Sequence, residues 1–304
     1  MFVTRRVLLK GAAALAGVAC PLGSYALAIE PGMMLDVTKY AFTPPGWPAN
    51  LPLKIAVIAD IHACEPYMSA ARIKRICDVA NALRPDVTVI LGDFNAGHNF
   101  VTGPVLPEQW GEAISGLKAP LGVYAILGNH DWWHGALPSV KTLNVPEIAK
   151  ALKDAGVVLM ENDAVRLDHA GQSFWLVGLA DQLAYVIKRG HYRGADNLDL
   201  ALSLVKDDAP VVLLAHEPYV FNRVTERVSL TLCGHTHGGQ VDLPFIGSPV
   251  ARRRFGANHV YGHTIENGRH MIISAGLGTS SLPIRFGRPP EVVLVTLGSP
   301  PLAA

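Results

Sequence analysis

The fold is decided by the stretch Ile55-Ala56-Val57-Ile58-Ala59-Asp60-Ile61-His62, in which an apolar run ends abruptly at an acidic residue. A continuous apolar run rich in β-branched residues is typical of a strand that is buried on both faces of a sheet. The same pattern occurs four more times, and each run ends at a polar residue able to bind a metal ion. Those four residues are Asp93, Asn129, His216 and His235. The chain therefore contains five predicted strands, each with a potential ligand at its end.

Helical patterns lie between some of these strands. Residues 73–83 place apolar side chains at helical spacing before Pro85, and 148–155 and 198–205 are shorter candidates. The alternation of strands and helices predicts βαβ units and a mostly parallel sheet, so the predicted fold class is α/β. Ligands of such sheets bind beyond the carboxyl ends of the strands. We therefore expect the five polar residues to gather at one edge.

The C-terminal third has a different pattern. Residues 271–274 and 292–295 are strand-like and have Gly- and Pro-rich connections, which predicts a second, antiparallel-rich sheet. Residues 29–53 contain five prolines and are interpreted as an extended lead-in. No stretch has the composition of a linker, so residues 54–304 are predicted to form one domain.

The composition allows a large core and gives no indication of a nucleic-acid partner. Half of the 304 residues are hydrophobic and 17% are charged, with a formal net charge of +1. The first 28 residues hold three basic residues and no acidic one, so the remainder has 23 basic against 25 acidic residues, or −2. A nearly neutral body lacks the basic surface that nucleic-acid binding requires.

The first 28 residues read as a targeting segment. A basic start is followed by a small, apolar stretch and by Ala26-Leu27-Ala28, which fits an A-x-A cleavage site. The run Thr4-Arg5-Arg6-Val7-Leu8-Leu9-Lys10 resembles the twin-arginine export signal. This resemblance predicts passage through the twin-arginine machinery to the periplasm or cell envelope. Two alternatives remain, namely an uncleaved anchor over 11–29 and lipidation at Cys20.

Five short motifs stand at the predicted strand ends and have the chemistry of a metal centre. They are Asp-x-His at 60–62, Gly-Asp at 92–93, Gly-Asn-His-Asp at 128–131, a single His216 and Gly-His-x-His at 234–237. A carboxylate such as Asp93 can bridge two cations, while imidazoles and the Asn129 carbonyl complete each ligand set without excess negative charge. Two cations about 3.5–4 Å apart would share a hydroxide and hold phosphate oxygens during in-line attack.

These motifs, in this order, resemble those of the calcineurin-like metallophosphoesterase superfamily over 54–297. The resemblance implies a four-layer α/β/β/α sandwich, in which two mixed sheets are flanked by helices. It also implies a dinuclear centre of two divalent ions, for which Mn, Fe and Zn are equally suitable. By the resemblance, the ligands of one metal are Asp60, His62, Asp93 and His237, and those of the other are Asp93, Asn129, His216 and His235.

The resemblance also implies an activity and two catalytic residues. His130 would contact the phosphate and protonate the leaving oxygen, and Asp131 would orient the His130 imidazole. Capping of the following helix is an equally simple role for Asp131. The expected reaction is metal-dependent hydrolysis of a phosphodiester or phosphomonoester. Hydrolysis of a pyrophosphate bond in a nucleotide-linked acylated sugar is a second interpretation, and a non-catalytic metal-binding scaffold is a third.

Several further residues are candidates for substrate contact. Trp132 and His134 follow the Gly-Asn-His-Asp motif directly, and Arg285 lies in a Gly- and Ser-rich segment near the C-terminus. The arginines at 252–254 are a possible site for anionic groups, although such a run is more often a solvated loop. Residues 276–291 resemble a branch of exported or membrane-associated bacterial phosphodiesterases. That resemblance predicts a cell-envelope or lipid-linked phosphoester and peripheral association with a membrane.

Overall fold

Two six-stranded mixed sheets form the centre of the computed structural model, which describes residues 17, 20–133, 145–256 and 258–298. In spatial order the first sheet contains β1 (Asp36–Phe42), β16 (Glu291–Leu297), β2 (Leu53–Ile58), β4 (Val87–Ile90), β6 (Val123–Ala125) and β7 (Val158–Leu159). The second contains β14 (Gly262–Glu266), β15 (Arg269–Ile273), β13 (Leu230–Cys233), β12 (Val211–Leu214), β9 (Gln172–Gly178) and β8 (Asp163–His169).

The remaining elements are short strand pairs and helices. The strand pairs are β3 (Cys64–Glu65) with β5 (Gly103–Pro104), and β10 (Tyr185–Lys188) with β11 (His191–Arg193). The helices after β1 are α1 (Ala70–Ala82), α2 (Pro107–Ile114), α3 (Asn129–Trp132), α4 (Val145–Asp154), α5 (Leu198–Ser203) and α6 (Pro249–Phe255). Helical turns also span Tyr25–Ile29, Glu30–Met33, Pro218–Asn222 and His237–Gly239.

Alternating side chains of the strands build three cores. In β2, Ile55 and Val57 point into the core between the sheets, whereas Ile58 faces the helices on the other side. In β12, Leu214 packs between the sheets and Leu213 faces α5. Because successive strand residues point to opposite faces, each apolar run is buried on both faces of its sheet. The expected four layers are confirmed, with α1, α2 and α4 outside the first sheet and α5 outside the second.

The predicted helices are present, and their starts have local causes. Helix α1 begins after Ser69, whose side chain accepts a hydrogen bond from the Arg72 amide at 3.2 Å. This serine cap satisfies one of the amides that a helix leaves unpaired at its first turn. The helices expected at 148–155 and 198–205 correspond to α4 and α5.

The expectation of an antiparallel-rich C-terminal sheet was right only in part, since β15 pairs antiparallel with β14 in the second sheet but residues 292–295 belong to the first. Strand β15 lies parallel to β13 in the second sheet, and β16 enters the first sheet between β1 and β2. The reason is that β16 is buried on both faces, with Val292 packing under the helices and Val293 packing between the sheets. Such a strand is stable in the interior of a sheet and not at an exposed edge.

The segment that precedes β2 is built into the same structure. Residues 36–42 of the expected lead-in form β1, which pairs in parallel with β16. Before it, Glu30 is fully buried and accepts hydrogen bonds from the amides of Gly287 at 2.9 Å and Arg288 at 2.6 Å. The Ala26 carbonyl accepts a bond from the Arg285 amide at 3.0 Å. Within the described residues, no helix is both long and apolar enough to cross a membrane.

A histidine pair on the second sheet makes stability sensitive to acid. His263 Nε2 lies 3.0 Å from His270 Nδ1, and the His263 ring stacks on Phe42. Burial, together with the nearby His270, lowers the pKa of His263 to about 4. Between that value and about 6.5 the unfolded chain binds more protons than the folded one, so the free energy of unfolding decreases as the pH is lowered.

We predict that His263→Gln reduces this acid sensitivity. Relative to pH 7.5, the variant should lose less stability at pH 5 than the wild type, by on the order of 1 kcal/mol after solvent screening. Urea unfolding at both pH values measures the difference, with His191→Gln on the exposed β11 as the matched control. An equal loss in the wild type and in His263→Gln would contradict the prediction.

Candidate metal centre

The seven residues expected as ligands come together between the carboxyl ends of both sheets. Asp60, Asp93 and Asn129 follow β2, β4 and β6 of the first sheet, while His216 and His235 follow β12 and β13 of the second. All seven are buried except His235, which is partly exposed. The expected single edge is therefore a junction of two sheet edges that face each other.

The backbone at this junction has an unusual conformation. Five of the seven residues have positive φ angles, which few residues other than glycine adopt: Asp60 (51°), His62 (47°), Asp93 (57°), His235 (68°) and His237 (54°). Positive φ at non-glycine residues costs free energy and is concentrated at functional sites. The conformation turns each chain sharply after its strand, which brings the side chains of both sheets toward one point.

Two glycines make the close approach possible. A Cβ atom on Gly128 would lie 2.4 Å from Asp93 Oδ1, and one on Gly234 would lie 2.5 Å from Asp60 Oδ2. Both distances are far below van der Waals contact, so no other residue fits at either position without displacing a carboxylate. The glycines of the Gly-Asn-His-Asp and Gly-His-x-His motifs are therefore required by packing at the centre.

The ligand atoms form overlapping clusters that share Asp93. Asp93 Oδ2 lies 3.4 Å from His62 Nε2 and 3.2 Å from His216 Nε2, so one oxygen faces both halves of the site. On one side, His237 Nε2 lies 3.1 Å from His62 Nε2 and 3.7 Å from Asp60 Oδ1. Asp60, His62 and His237 form one candidate metal cluster, and their ligand atoms lie within 4.8 Å of one another.

The other half of the site is arranged in the same way. Asp93, His216 and His235 form a second candidate cluster within the same 4.8 Å limit. His235 Nδ1 lies 2.9 Å from Asn129 Oδ1, which places the amide oxygen beside this cluster. A third candidate cluster joins His62 and Asp93 to His130. Asp93 therefore belongs to two of the three clusters, one that contains His62 and one that contains His216.

Backbone carbonyls orient two of the imidazoles. The carbonyl oxygen of Asn95 lies 2.7 Å from His62 Nδ1, and that of Leu91 lies 2.6 Å from His216 Nδ1. A carbonyl can only accept, so each Nδ1 is the protonated nitrogen and donates to it. Both Nε2 atoms then point at Asp93, as metal-binding histidines do when a carbonyl holds their other nitrogen.

Burial is the largest influence on the pKa values of the centre. It lowers the pKa of His62 to about 3 and those of His235 and His237 well below the usual range. Burial also raises the pKa of Asp60 to about 7. For Asp93, burial opposes ionisation, but His216, His130 and His62 outweigh it and hold the pKa well below its usual range.

The residues present fit two divalent cations. Neutral imidazoles and a carboxylate are the form in which these side chains bind metal, and the mixed nitrogen and oxygen donors suit Mn, Fe and Zn. The Nε2 atom of His235 is buried and makes no hydrogen bond to any described residue. The close pair of His62 and His237 nitrogens likewise requires either a proton or a cation between them.

Asp131 has the alternative role expected for it, which is the capping of the following helix. Its Oδ2 atom accepts hydrogen bonds from the amides of Asp93 at 2.8 Å and Gly128 at 3.0 Å, and its Oδ1 atom accepts from Phe94 at 2.8 Å. Both oxygens therefore bind backbone, and the carboxylate ties the loop after β4 to the start of α3. Asp131 holds the backbone of Asp93 in place and is not placed to orient the His130 ring.

His130 stands at the mouth of the centre, in a cavity of about 310 Å³. Its amide donates to Asp93 Oδ1 at 2.8 Å, and its ring lies across that of His62 with centroids 5.0 Å apart. Burial lowers the pKa of His130. The His130 Nε2 atom lies 3.5 Å from Ser280 Oγ on the opposite wall. This nitrogen is the group best placed to meet a substrate that reaches the metals.

The two adjacent tryptophans have separate positions. Trp132, the expected substrate contact, packs against the core under the first sheet and contacts Tyr185 edge-to-face, with ring centroids 5.3 Å apart. Trp133 lines the cavity instead, stacks on Tyr192 at 5.1 Å and donates from Nε1 to the Leu183 carbonyl at 2.9 Å. Adjacent residues at the end of a helix point in different directions, so only one of the pair reaches the cavity.

The structure also reassigns Arg285 and leaves His134 untested. Arg285 is fully buried, and its guanidinium donates to the carbonyls of Gly278 at 3.0 Å, Arg288 at 2.9 Å and Ala275 at 2.8 Å. It therefore fixes the fold of the segment after β15 and does not line the cavity. His134 lies outside the described residues.

Sequence reasoning missed most of the cavity wall. Besides the centre itself, the wall contains Trp133, Tyr192, Arg254, Phe255 and Ser280. Arg254 belongs to the run of three arginines at 252–254, which the sequence alone indicates as a candidate site for anionic groups. Tyr192 lies on a short exposed strand, β11, and no local pattern in the sequence marks it.

Comparison with known proteins agrees with this arrangement. The family model for calcineurin-like phosphoesterases matches residues 53–239. An uncharacterized metallophosphoesterase of Aquifex aeolicus is 31% identical over 264 residues, which cover 86% of this chain and 92% of that protein. An uncharacterized metallophosphoesterase of Bacillus subtilis, YkuE, is 30% identical over 312 residues, which cover 98% of each chain. The Escherichia coli phosphodiesterase YaeI is 28% identical over 249 residues, which cover 81% of this chain and 82% of that one.

The chain belongs to the calcineurin-like phosphoesterase family, which makes it a metal-dependent hydrolase of phosphoester bonds. The match runs from β2 of the first sheet to the Gly-His-x-His motif after β13 of the second, and it includes all seven residues expected as ligands. The chain spans about half the length of some other relatives, such as a putative metallophosphoesterase of Caenorhabditis elegans, of which it covers 48%.

We predict that Arg285→Met destabilises the protein without weakening substrate binding. The change leaves several buried carbonyls without a donor, so the free energy of unfolding should fall by about 3 kcal/mol or more. The KM of the folded variant should stay unchanged, because Arg285 does not line the cavity. The matched control is Arg254→Met on the cavity wall, which should raise KM and change stability by less than about 0.5 kcal/mol. Urea unfolding and steady-state kinetics at saturating metal test both variants, and a raised KM for Arg285→Met would contradict the assignment.

Proposed function

We propose that the protein hydrolyses phosphodiesters with two divalent metal ions that share the Asp93 carboxylate. The observation that carries the proposal is the position of Asp93 Oδ2, which faces His62 at 3.4 Å and His216 at 3.2 Å. A single buried oxygen between two sets of imidazoles fits a bridge between two cations. A mononuclear site would need only one of these sets.

The two ligand sets are proposed from the clusters on either side of Asp93. Asp60, His62 and His237 would hold one ion together with Asp93, and Asn129, His216 and His235 would hold the other with it. When bound, the two ions supply an activated water as nucleophile and neutralise charge on the phosphate. Mn, Fe and Zn all suit this donor set.

His130 is proposed to bind the phosphate and to protonate the leaving oxygen. Its ring stands between the centre and the open cavity, beside Ser280. Burial lowers the pKa of this imidazole in the free site, but an anionic phosphate beside it would favour the protonated form. Asp131 would act as a positioning residue, since its carboxylate fixes the backbone of Asp93 and the start of α3.

A diester is favoured over a monoester by the shape of the site. The cavity of about 310 Å³ extends from the centre, and its wall includes Trp133, Tyr192, Arg254 and Phe255. A phosphate with a second ester group needs such space beyond the metals, and aromatic walls fit an apolar or ring-containing group. The similarity to a relative that is itself a phosphodiesterase supports the same choice.

The cellular setting is proposed from the sequence. We propose that the segment 1–28 directs the protein through the twin-arginine machinery to the periplasm or cell envelope. A lipid-linked or other envelope phosphoester is then the proposed substrate. Export of a folded protein would allow the metals to be bound in the cytosol before the chain leaves it.

We predict that His130→Ala lowers kcat by about 10²–10⁴-fold while both metals stay bound, the usual scale for loss of an acid–base group. Turnover of bis-p-nitrophenyl phosphate and p-nitrophenyl phosphate would be measured with Mn²⁺, Zn²⁺ or Fe²⁺, and the bound metal by elemental analysis. Asp93→Ala is the contrasting variant, because removing the shared carboxylate should release metal and abolish turnover.

The possible outcomes separate the roles. Loss of metal from His130→Ala would make that residue a ligand, as its cluster with His62 and Asp93 allows. Unchanged turnover in Asp93→Ala, or no turnover with any of the three metals, would overturn the proposed function.

Export is tested by replacing Arg5 and Arg6 with Lys. The conservative pair keeps the charge of the segment, so a general requirement for basic residues stays satisfied. We predict that the yield of protein in the periplasmic fraction falls at least about tenfold, because the twin-arginine signal is read by its two arginines. The fraction is measured by immunoblot in a bacterial host, and an unchanged yield would rule out this export route.

A further inference from the structure

We propose that the rim of the cavity is a docking surface for an anionic lipid bilayer. The rim consists of two segments, residues 185–193 with strands β10 and β11, and residues 243–255 with helix α6. Docking would present the cavity to phosphoesters in a lipid surface. The inference that the substrate lies in the lipid surface rests on the proposed function, whereas the inference of docking does not.

The first rim segment exposes a run of apolar side chains. Tyr185, Val186 and Ile187 are all exposed, and every residue of β10 and β11 faces solvent. Among the residues that the structure describes, these two strands pair only with each other. A two-stranded ribbon with an exposed apolar run does not gain stability from its own packing. Such a patch on a water-soluble surface marks a site of interaction.

The second rim segment exposes an even larger apolar surface. Phe245 is fully exposed, Val250 is 82% exposed and Ile246 is 60% exposed. Leu243 adds a fourth partly exposed apolar side chain to the same segment. Aromatic and branched aliphatic side chains of this kind insert at the boundary between headgroups and acyl chains.

The charges of both segments complement an anionic surface. The first contains Lys188, Arg189 and Arg193, and the second contains the three consecutive arginines at 252–254. Neither segment contains an acidic residue, although the chain without its first 28 residues has a net charge of −2. Basic side chains around exposed apolar tips are the combination that binds anionic membranes peripherally.

Both segments meet at the same cavity. Tyr192 of the first segment and Val250, Arg254 and Phe255 of the second all line it. The two tryptophans at the end of α3 fix the first segment in this position, since Trp132 contacts Tyr185 and Trp133 stacks on Tyr192. A surface that contacted both segments would therefore face the opening of the metal centre.

A third apolar surface adjoins the second segment. The N-terminal helical turns expose Ile29 and Met33, which follow the predicted cleavage site, and Glu30 between them accepts a hydrogen bond from the amide of Gly287, next to Phe286, at 2.9 Å. The Phe286 carbonyl accepts a hydrogen bond from the Asp242 amide at 2.8 Å, directly before the second segment. The exposed apolar surface thus continues from the rim toward the predicted targeting segment.

The test is cosedimentation of the full-length protein with lipid vesicles. Vesicles of phosphatidylcholine containing about one third phosphatidylglycerol are compared with pure phosphatidylcholine. The test variant is Val186→Ser/Ile187→Ser/Phe245→Ser/Ile246→Ser, none of whose sites lines the cavity. The control variant is Val158→Ser/Ile265→Ser, which removes exposed apolar side chains at the outer edges of the two sheets.

We expect the wild type and the control to bind the anionic vesicles, with affinity that falls as salt rises. The test variant should bind at least about tenfold more weakly while its turnover of soluble bis-p-nitrophenyl phosphate stays unchanged. Equal binding by the wild type and the test variant would overturn the proposal, because another part of the chain would then make the contact. Absence of wild-type binding to both vesicle types would overturn it too and would leave a protein as the partner of the rim. Loss of turnover in the wild type concerns the proposed function alone.

Discussion

One buried carboxylate, that of Asp93, constrains the structure, because it contacts histidines that follow strands of both sheets. Its Oδ2 atom faces a histidine from each half of the site, and its Oδ1 atom accepts the amide of His130 at 2.8 Å. A carboxylate without solvent is costly unless charges or hydrogen bonds compensate it. The amide of His130 and the imidazole of His216, whose pKa Asp93 raises well above the usual range despite burial, provide that compensation here. The site can exist only if the carboxyl ends of β4 and β12 are held face to face.

The core between the sheets provides this alignment. Residues of β2 and β4 pack there against residues of β9, β12 and β13, so the two sheets cannot shift independently. The ends are also joined directly, since the His235 amide from the second sheet donates to Asp60 Oδ1 of the first at 2.9 Å. The strained backbone at Asp60, Asp93 and His235 persists because rigid strands precede each of them. Asp131 adds a second restraint through the amides that it binds.

The parts that could be predicted from sequence are those encoded locally. A buried strand that ends at Asp60 or Asp93 is visible in a few consecutive residues, and the order of the motifs identifies the ligand set. The position of β16 was not visible, because the same apolar run fits a second sheet or the centre of the first. Arg285 shows the same limit, since a lone arginine in a Gly-rich segment can bind substrate or carbonyls. Only the fold of that segment decides, and it depends on contacts with Ala26 and Glu30, far away in sequence.

The adjacent tryptophans connect catalysis to substrate choice. Helix α3 carries Asn129 and His130 at its start and Trp132 at its end, so the residues that meet the phosphate and those that hold β10 and β11 share a single turn. The five motifs supply the expected metal ligands and His130, but they do not contain the outer wall of the cavity. That wall is built by Tyr192 and by α6, which contain none of the residues expected as ligands. We therefore infer that substrate specificity resides in these wall segments, which the five motifs do not describe, and that α3 links their position to that of the metal ligands.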